Sequence, residues 1–307
     1  MASVATPSAR SKPQVAIMNA VHDLPVLVAR DLGFFREEGL DLEFVTTPGM
    51  AQSTTSHFVK FDSVFDRPLD SVYNSGGIDQ YRMCEWGIMK RAVEANAQKL
   101  RGRKIVALGA SMSKFAIVVH PDSKIYEPEM LKGKEIAVTP NNGSDFTTLK
   151  MMEGFLEPGH LKRTNAGSML KRLEAVRDKK LAAASLMEPW ISVAQKWGMR
   201  ILIESHSTRA EAAGDDMDGD TLRKMFRAQA RAVEVLDKDP RPFVHYLARE
   251  TGGLLKPEEL QTWRLLHGAP QPYTRERWDD TYRWTVKWTM TVPGATYDNT
   301  VDNRAWS

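Results

Sequence analysis

With 307 residues, 42% of them hydrophobic, the chain can bury a substantial core, and at about 100–200 residues per domain it divides into two. Lys+Arg 42 against Asp+Glu 39 leave a net charge of +3, too balanced for a nucleic-acid binder, and no basic run is interleaved with aromatics. The single cysteine, Cys84, excludes an internal disulfide, and no apolar run approaches the roughly 20 residues that insert in a bilayer.

Residues 1–14 carry Arg10 and Lys12 but no apolar segment of about 7–15 residues, so no secretory signal is read there and the chain is placed in the cytoplasm. An Ala/Ser/Pro-rich start of this kind also follows a removed leader, which would place it in the periplasm. Val15 and Ile17 in QVAIM predict a first strand. In residues 26–45, VLVARDLGFFREEGLDLEFV, the apolar Leu27, Ala29, Leu32 and Phe35 mark a helix that stops at Gly39. Leu40, Leu42 and Phe44 then alternate with Asp41 and Glu43, the period of a strand with one wet face. Residues 14–45 are therefore expected to form a βαβ unit. Residues 46–70 are polar and read as a long loop, of the length that is often functional, carrying His57. VYNSGG at 72–77 breaks any helix, residues 79–95 resume helical spacing, and 104–108 form a short strand.

A second unit begins with a strand near Phe115, followed by a turn and a strand over 135–139. PNNGS at 140–144 has tight-turn chemistry, and Phe146, Leu149, Met152 and Phe155 give helical spacing over 145–155. Residues 169–176 are expected helical and 181–186 extended; Glu188-Pro189-Trp190 opens a helix that ends near Gly198, before a strand over 200–203. In the tail, Leu222, Met225, Ala228, Ala232 and Val235 form one buried helical face. Trp278 with Tyr282 and Trp284 with Trp288 pair at i,i+4 and are read as packing.

Several residues bear on chemistry. Cys84 follows Gly77 by seven residues at the expected start of a helix, where the dipole favours a thiolate; a free cysteine is also a small buried hydrophobe. Glu85 is an acid/base candidate, although adjacent helix residues do not share a face. His22 follows the first strand, where open α/β sheets bind ligands, and His57 lies on the long loop; each is a candidate general base or a surface histidine. Asn141, Asn142, Gly143 and Ser144 offer backbone N–H and hydroxyl donors to an acidic ligand group, or form an ordinary turn. Trp190 either stacks on an aromatic ligand or starts a helix with Pro189 at its first position. The seven histidines show no metal-ligand spacing, and neither metal nor cofactor is expected.

Four segments in order, ARDLGFFREEGLDLEFV, NSGGID, DSKIYEPEMLKGKEIAV and LMEPWISVAQKWGMRILIE, resemble the type II periplasmic-binding-protein fold across about residues 14–203. The branch is that of alkanesulfonate- and nitrate-binding proteins and thiamin-pyrimidine synthases. The resemblance implies an α/β chain of two lobes with a ligand cleft between them. Residues 1–115 and 204–307 would form the first lobe and 116–203 an inserted second lobe, with crossovers near 112–115 and 204–206. It places His57 at the cleft mouth and Glu188 and Trp190 on a hinge-side ligand loop. The lysine and histidine of the pyrimidine synthases fall on Met83 and Gly87, and only Cys84 stands for their cysteine-rich run, so that activity is not expected. Aryl-sulfinate desulfinases are similar locally: their Ser-Asn-Cys falls on Met18-Asn19-Ala20, their His-Phe on His57-Phe58 and their Arg-x-Gly-Gly on Asn74-Ser75-Gly76-Gly77. The histidine and the glycines are present, whereas the nucleophile and the arginine are not.

Two functions fit. One is a cytoplasmic lyase or hydrolase acting on a small aromatic or anionic acid, with Cys84 reactive, His57 or His22 as its base and the Gly76-Gly77 backbone stabilising negative charge. The other is the solute-binding protein of an ABC-type transport system, partnered by a permease and needing only the cleft. The lack of a secretory segment, the lone cysteine and the two histidines favour the enzyme.

Overall fold

Two long strands carry the architecture of the computed structural model, which describes residues 12–46 and 63–307. The first strand, β1 (Gln14–Ile17), leads through α1 (Ala20–Asp31) and the single turn of α2 (Phe34–Glu37) to β2 (Glu43–Thr46), which pairs with β1 in parallel, Gln14 opposite Glu43. This is the expected βαβ unit. Its helix is split because Gly33 takes a φ of 78°, open to glycine without a Cβ clash. Next come α3 (Pro68–Asn74), which starts on a proline, then β3 (Gln80–Cys84) and α4 (Glu85–Gln98). The helix expected over 79–95 is present from Glu85 on, and its first residues, 80–84, are strand instead. Every residue of β3 is buried, with β1 on one side and a later strand on the other, so the apolar alternation that marks a half-exposed strand is absent.

β4 (Lys104–Val119) is one strand of 16 residues where the sequence suggested two. Beyond it lie β5 (Glu135–Val138), α5 (Gly143–Met152), β6 (Lys162–Asn165), α6 (Met169–Arg177), β7 (Ala183–Met187) and α7 (Trp190–Lys196). Then β8 (Arg200–Ala213) returns antiparallel along the length of β4, from Val119 opposite Arg200 to Lys104 opposite Ala213. The pairing shifts register between Leu108 and Met112, so the ribbon is irregular near its middle. The tail comprises α8 (Gly219–Lys238), α9 (His245–Glu250), the short β9 (Leu265–His267) on β4, α10 (Arg275–Lys287) and α11 (Tyr297–Thr300).

The strand order is β2-β1-β3-β8-β4-β7-β5-β6, one hydrogen-bonded path because β4 and β8 serve both halves. β3 pairs with the far end of β8, and β7 with the far end of β4. Residues 112–115 and 204–206, where the crossovers are expected, lie within this paired ribbon. α8 closes the first half: Leu222, Met225, Ala228 and Ala232 face the core, each larger side chain contributing about 2 kcal/mol by burial. Arg227 and Arg231 on its other side pair with Glu38 and Glu37. No described helix is long and apolar enough to cross a membrane.

Candidate functional site

β3 brings Cys84 directly opposite Arg209 of β8, so the two side chains lie on one face of the sheet. Arg209 is 1% exposed. Its Nε donates to Ser113 Oγ at 3.1 Å and its guanidinium carbon sits 5.9 Å from the Phe115 ring, but Nη1 and Nη2 have no hydrogen-bond partner. Burial pushes the Arg209 guanidinium down to about 10; Cys84 and the Asp23 carboxylate offset this only in part, and no carboxylate forms an ion pair with it among the described residues. Its neighbour on the same face, Arg82, shows the opposite case: it pairs with Asp23 at 2.5 Å and with Glu211 at 3.2 Å and is fully engaged. A buried cation without a counter-charge costs several kcal/mol, which an arriving anion would recover.

The start of α1 supplies a second free donor. Asn19 caps the helix, its Oδ1 accepting from the His22 amide at 3.1 Å, which turns its Nδ2 toward His22 Nδ1 at 2.9 Å. Since Nδ2 only donates, Nδ1 accepts and the ring proton rests on Nε2. That Nε2 is buried and has no partner. Burial, then the charges of Arg209 and Arg82, hold the imidazole well below its ordinary pKa, so it is a neutral donor.

The opposite wall comes from the second half. Asn142 caps α5 through its own side chain, and Gly143 packs so closely that a Cβ there would lie 3.4 Å from Phe115 Cζ and 3.7 Å from Cys84 Sγ. The first-turn amides of α5, positive end of the helix dipole, thus approach the Cys84–Arg209 face. Arg67, just before α3, reaches across to donate to the Pro140 carbonyl at 2.6 Å, while its buried Nε is unpartnered and burial, then Arg91, lowers it to about 10. Arg209, His22 Nε2, Arg67 Nε and a helix N-terminus are donors left free here, against one free acceptor on the same face, Oε1 of the Glu211 that pairs with Arg82. Such a lining accepts an anion.

Asn19, His22, Cys84, Asn142 and Gly143 thus come together, whereas other sequence candidates are committed elsewhere. The Ser144 hydroxyl accepts from Thr139 N at 3.0 Å, and the Asn141 amide donates to Asp145, so both brace the turn. Asn74 binds Arg103, Gly76 holds a φ of 79° at the end of α3, and a Cβ on Gly77 would lie 2.6 Å from Val72 Cγ1. Glu85 accepts from Arg277, Tyr273, Thr208 and Thr281; burial alone would raise it, but Arg277 and these hydroxyls hold it below the usual carboxylate range. Glu188 accepts from Ser192 N and pairs with Arg264 at 3.3 Å. Burial outweighs that ion pair and raises Glu188 to about 7. Trp190 is a core side chain, 1% exposed. His57 lies outside the described residues. Among those residues no group of three or more His, Cys, Asp or Glu is placed to hold a metal.

Arg209, Arg67, Ser113 and Phe115 were not singled out by sequence. The available signal was the polar face Ser207, Arg209, Glu211 on a mid-chain strand, where period 2 points three polar side chains inward.

The described residues do not give the thiol the base expected of it. Cys84 ends β3 and directly precedes the first residue of α4, at the helix start expected of it, but burial raises its pKa despite Arg209 and the Gly87 amide. His22 does not bond it, since Nδ1 is taken by Asn19 and Nε2 is free.

No family model and no curated protein matches the chain. Solved structures do. The periplasmic aliphatic sulphonate binding protein SsuA from Escherichia coli is 13% identical, with 96% of this chain and 92% of that chain covered and a TM-score of 0.72. The alkanesulfonate-binding protein SsuA from Xanthomonas axonopodis pv. citri, bound to MOPS, is 15% identical over 93% and 96% at 0.70. The periplasmic nitrate-binding protein NrtA from Synechocystis PCC 6803 is 12% identical over 97% and 88% at 0.66. The chain has the two-lobed type II periplasmic-binding-protein-like fold. These neighbours are solute-binding proteins, and they overturn the expectation of a cytoplasmic lyase or hydrolase.

Proposed function

We propose that the chain is the solute-binding component of an ABC-type transport system, holding a small anion between its lobes and delivering it to a permease. The observation that carries this reading is Arg209, buried, without a carboxylate, its terminal nitrogens free. In this reading residues 1–115 and 204–307 form one lobe and 116–203 the other, and β4 with β8 make the hinge. Asn19, His22 and Arg209 receive the anion on one side, and Asn142 with the α5 amides close over it from the other. The sulfonate- and nitrate-binding neighbours, two of them periplasmic, support a monoanionic oxyanion as ligand and a place outside the cytoplasm.

Calorimetric titration with nitrate, short aliphatic sulfonates and benzoate, against neutral amides of similar size, tests it. At least one anion is expected to bind, with affinity falling about 100-fold or more in Arg209→Met, as loss of a bidentate charged contact requires. Equal affinity in the variant, or no anion bound by the wild type, would sink the reading.

A further inference from the structure

We propose a second anion site, remote from the Arg209 crevice: a basic pocket at the amino ends of β5 and β7 that takes a phosphate-type polyanion. β5 and β7 run parallel, and their carboxyl ends lead into the 139–144 turn and Glu188. The pocket opens at the other end, where Lys134 precedes β5 and Ala182 precedes β7. Its volume is 540 Å³, within the roughly 300–1,000 Å³ of small-ligand sites. Lys124, Lys134, Lys179 and Lys180 ring a floor that includes Ile125 and Leu181.

The charge there is poorly balanced. Asp122 is the one acid in the lining; it pairs with Lys179 at 3.0 Å and lies 3.6 Å from His120. Lys180 reaches Asp178 outside the pocket at 3.3 Å. Among the described residues neither Lys124 nor Lys134 forms an ion pair. One wall is held firm: Arg200 donates to the Ser123 carbonyl at 2.8 Å and the Ile125 carbonyl at 3.0 Å, with its guanidinium 4.8 Å over Tyr126. The other wall is strained. Lys179 follows the α6 cap with a φ of 57°, a position where glycine is the usual residue and a side chain costs on the order of 1 kcal/mol. A lysine kept there places its charge at the pocket.

With Lys179 and Lys180 paired to Asp122 and Asp178, the two ammonium groups left, Lys124 and Lys134, exceed what a monoanion neutralises, and ammonium groups bind phosphate oxygens as point charges. Such oxygens come from a soluble polyphosphate or from an anionic lipid headgroup; Met130 of the lining is exposed, as is Tyr126, whose amide donates to the Met130 sulfur.

The test uses inorganic pyrophosphate and vesicles of phosphatidylglycerol in phosphatidylcholine. Pyrophosphate is expected to bind the wild type, to bind about tenfold more weakly in Lys124→Ala/Lys134→Ala, and to bind Arg209→Met as it binds the wild type. Vesicle binding that pyrophosphate displaces identifies the headgroup as the source, and pyrophosphate binding without vesicle binding identifies a soluble phosphate. Absence of pyrophosphate binding, insensitivity to the double substitution, or loss in Arg209→Met overturns the proposal. Because the lysine pair lies outside the crevice, its failure leaves the Arg209 site untouched, and the reverse holds too.

Discussion

Cys84 and Arg209 face each other across the β3–β8 pairing, a neutral thiol beside an unpaired guanidinium. Burial raises the thiol, so the folded chain favours its protonated form. Stability from that preference is present below the ordinary thiol pKa of about 8.5 and is lost as pH rises through the higher folded value. Cys84→Ser is therefore expected to lose less stability than the wild type between pH 8 and 10 and to keep ligand affinity within about threefold. A native thiol that reacts with an aromatic disulfide as fast as the denatured chain would contradict this account of its burial.

Arg209→Met should also change the ligand-free protein. Removing an uncompensated buried cation relieves its desolvation cost, offset by the lost Ser113 contact; a net gain of about 1–2 kcal/mol is expected. Thermal melting of the apo variant would rise by a few degrees, while the further rise that ligand gives the wild type would vanish. A variant that melts lower than the wild type, with or without ligand, would mean that the guanidinium is already compensated.

Glu188 and His22 respond to pH with opposite signs. Burial raises Glu188 to about 7, so the stability it contributes is complete below about 4.3 and declines as pH climbs toward 7. Burial, then Arg209 and Arg82, lowers His22, so the folded chain resists its protonation and stability falls as pH drops below about 6.5. Melting temperatures recorded from pH 5 to 8 should show Glu188→Gln gaining on the wild type toward pH 8, and His22→Gln gaining on it toward pH 5. Parallel profiles for the three proteins would refute both assignments.

What the sequence revealed and what it hid follow from how each element is covered. α8 carries its apolar residues on one face, and residues 26–45 alternate clearly at their end, so both were legible. β3 is buried on both sides, and its QYRMC lacks alternation, so it passed for helix. β4 was read as two pieces because its register shifts interrupt the apolar run between Leu108 and Met112. The crevice was half legible. Asn19, His22 and Asn142 sit at helix caps, which sequence marks locally; Arg209 and Arg67 gain their meaning from the acids they lack, a fact of three-dimensional neighbourhood.

One carboxylate joins α5 to α10. Glu153, at the end of α5, accepts from Trp284 Nε1 at 2.8 Å and Trp288 Nε1 at 3.1 Å, both at the end of α10. Lys150 also binds Glu153, and its ammonium lies 5.4 Å from the Trp284 ring. Behind them Cys84, Phe146, Leu149, Trp284 and Met290 form one apolar cluster drawn from both halves, with Trp86 5.1 Å from Trp284. A carboxylate shared by two indole N–H groups binds only when α5 and α10 are together, so under the proposed function it would favour a closed arrangement over an open one. Charge-assisted bonds of this kind contribute on the order of 1–2 kcal/mol net, and a ligand that binds only the closed form loses affinity in proportion to the closed fraction. Glu153→Ala is expected to weaken anion binding about tenfold and to shift the ligand-free tryptophan emission to the red, with ligand restoring the blue emission. Glu153→Gln, which keeps an acceptor oxygen but no charge, should fall between. Unchanged affinity and emission in Glu153→Ala would show that the carboxylate does not bias closure.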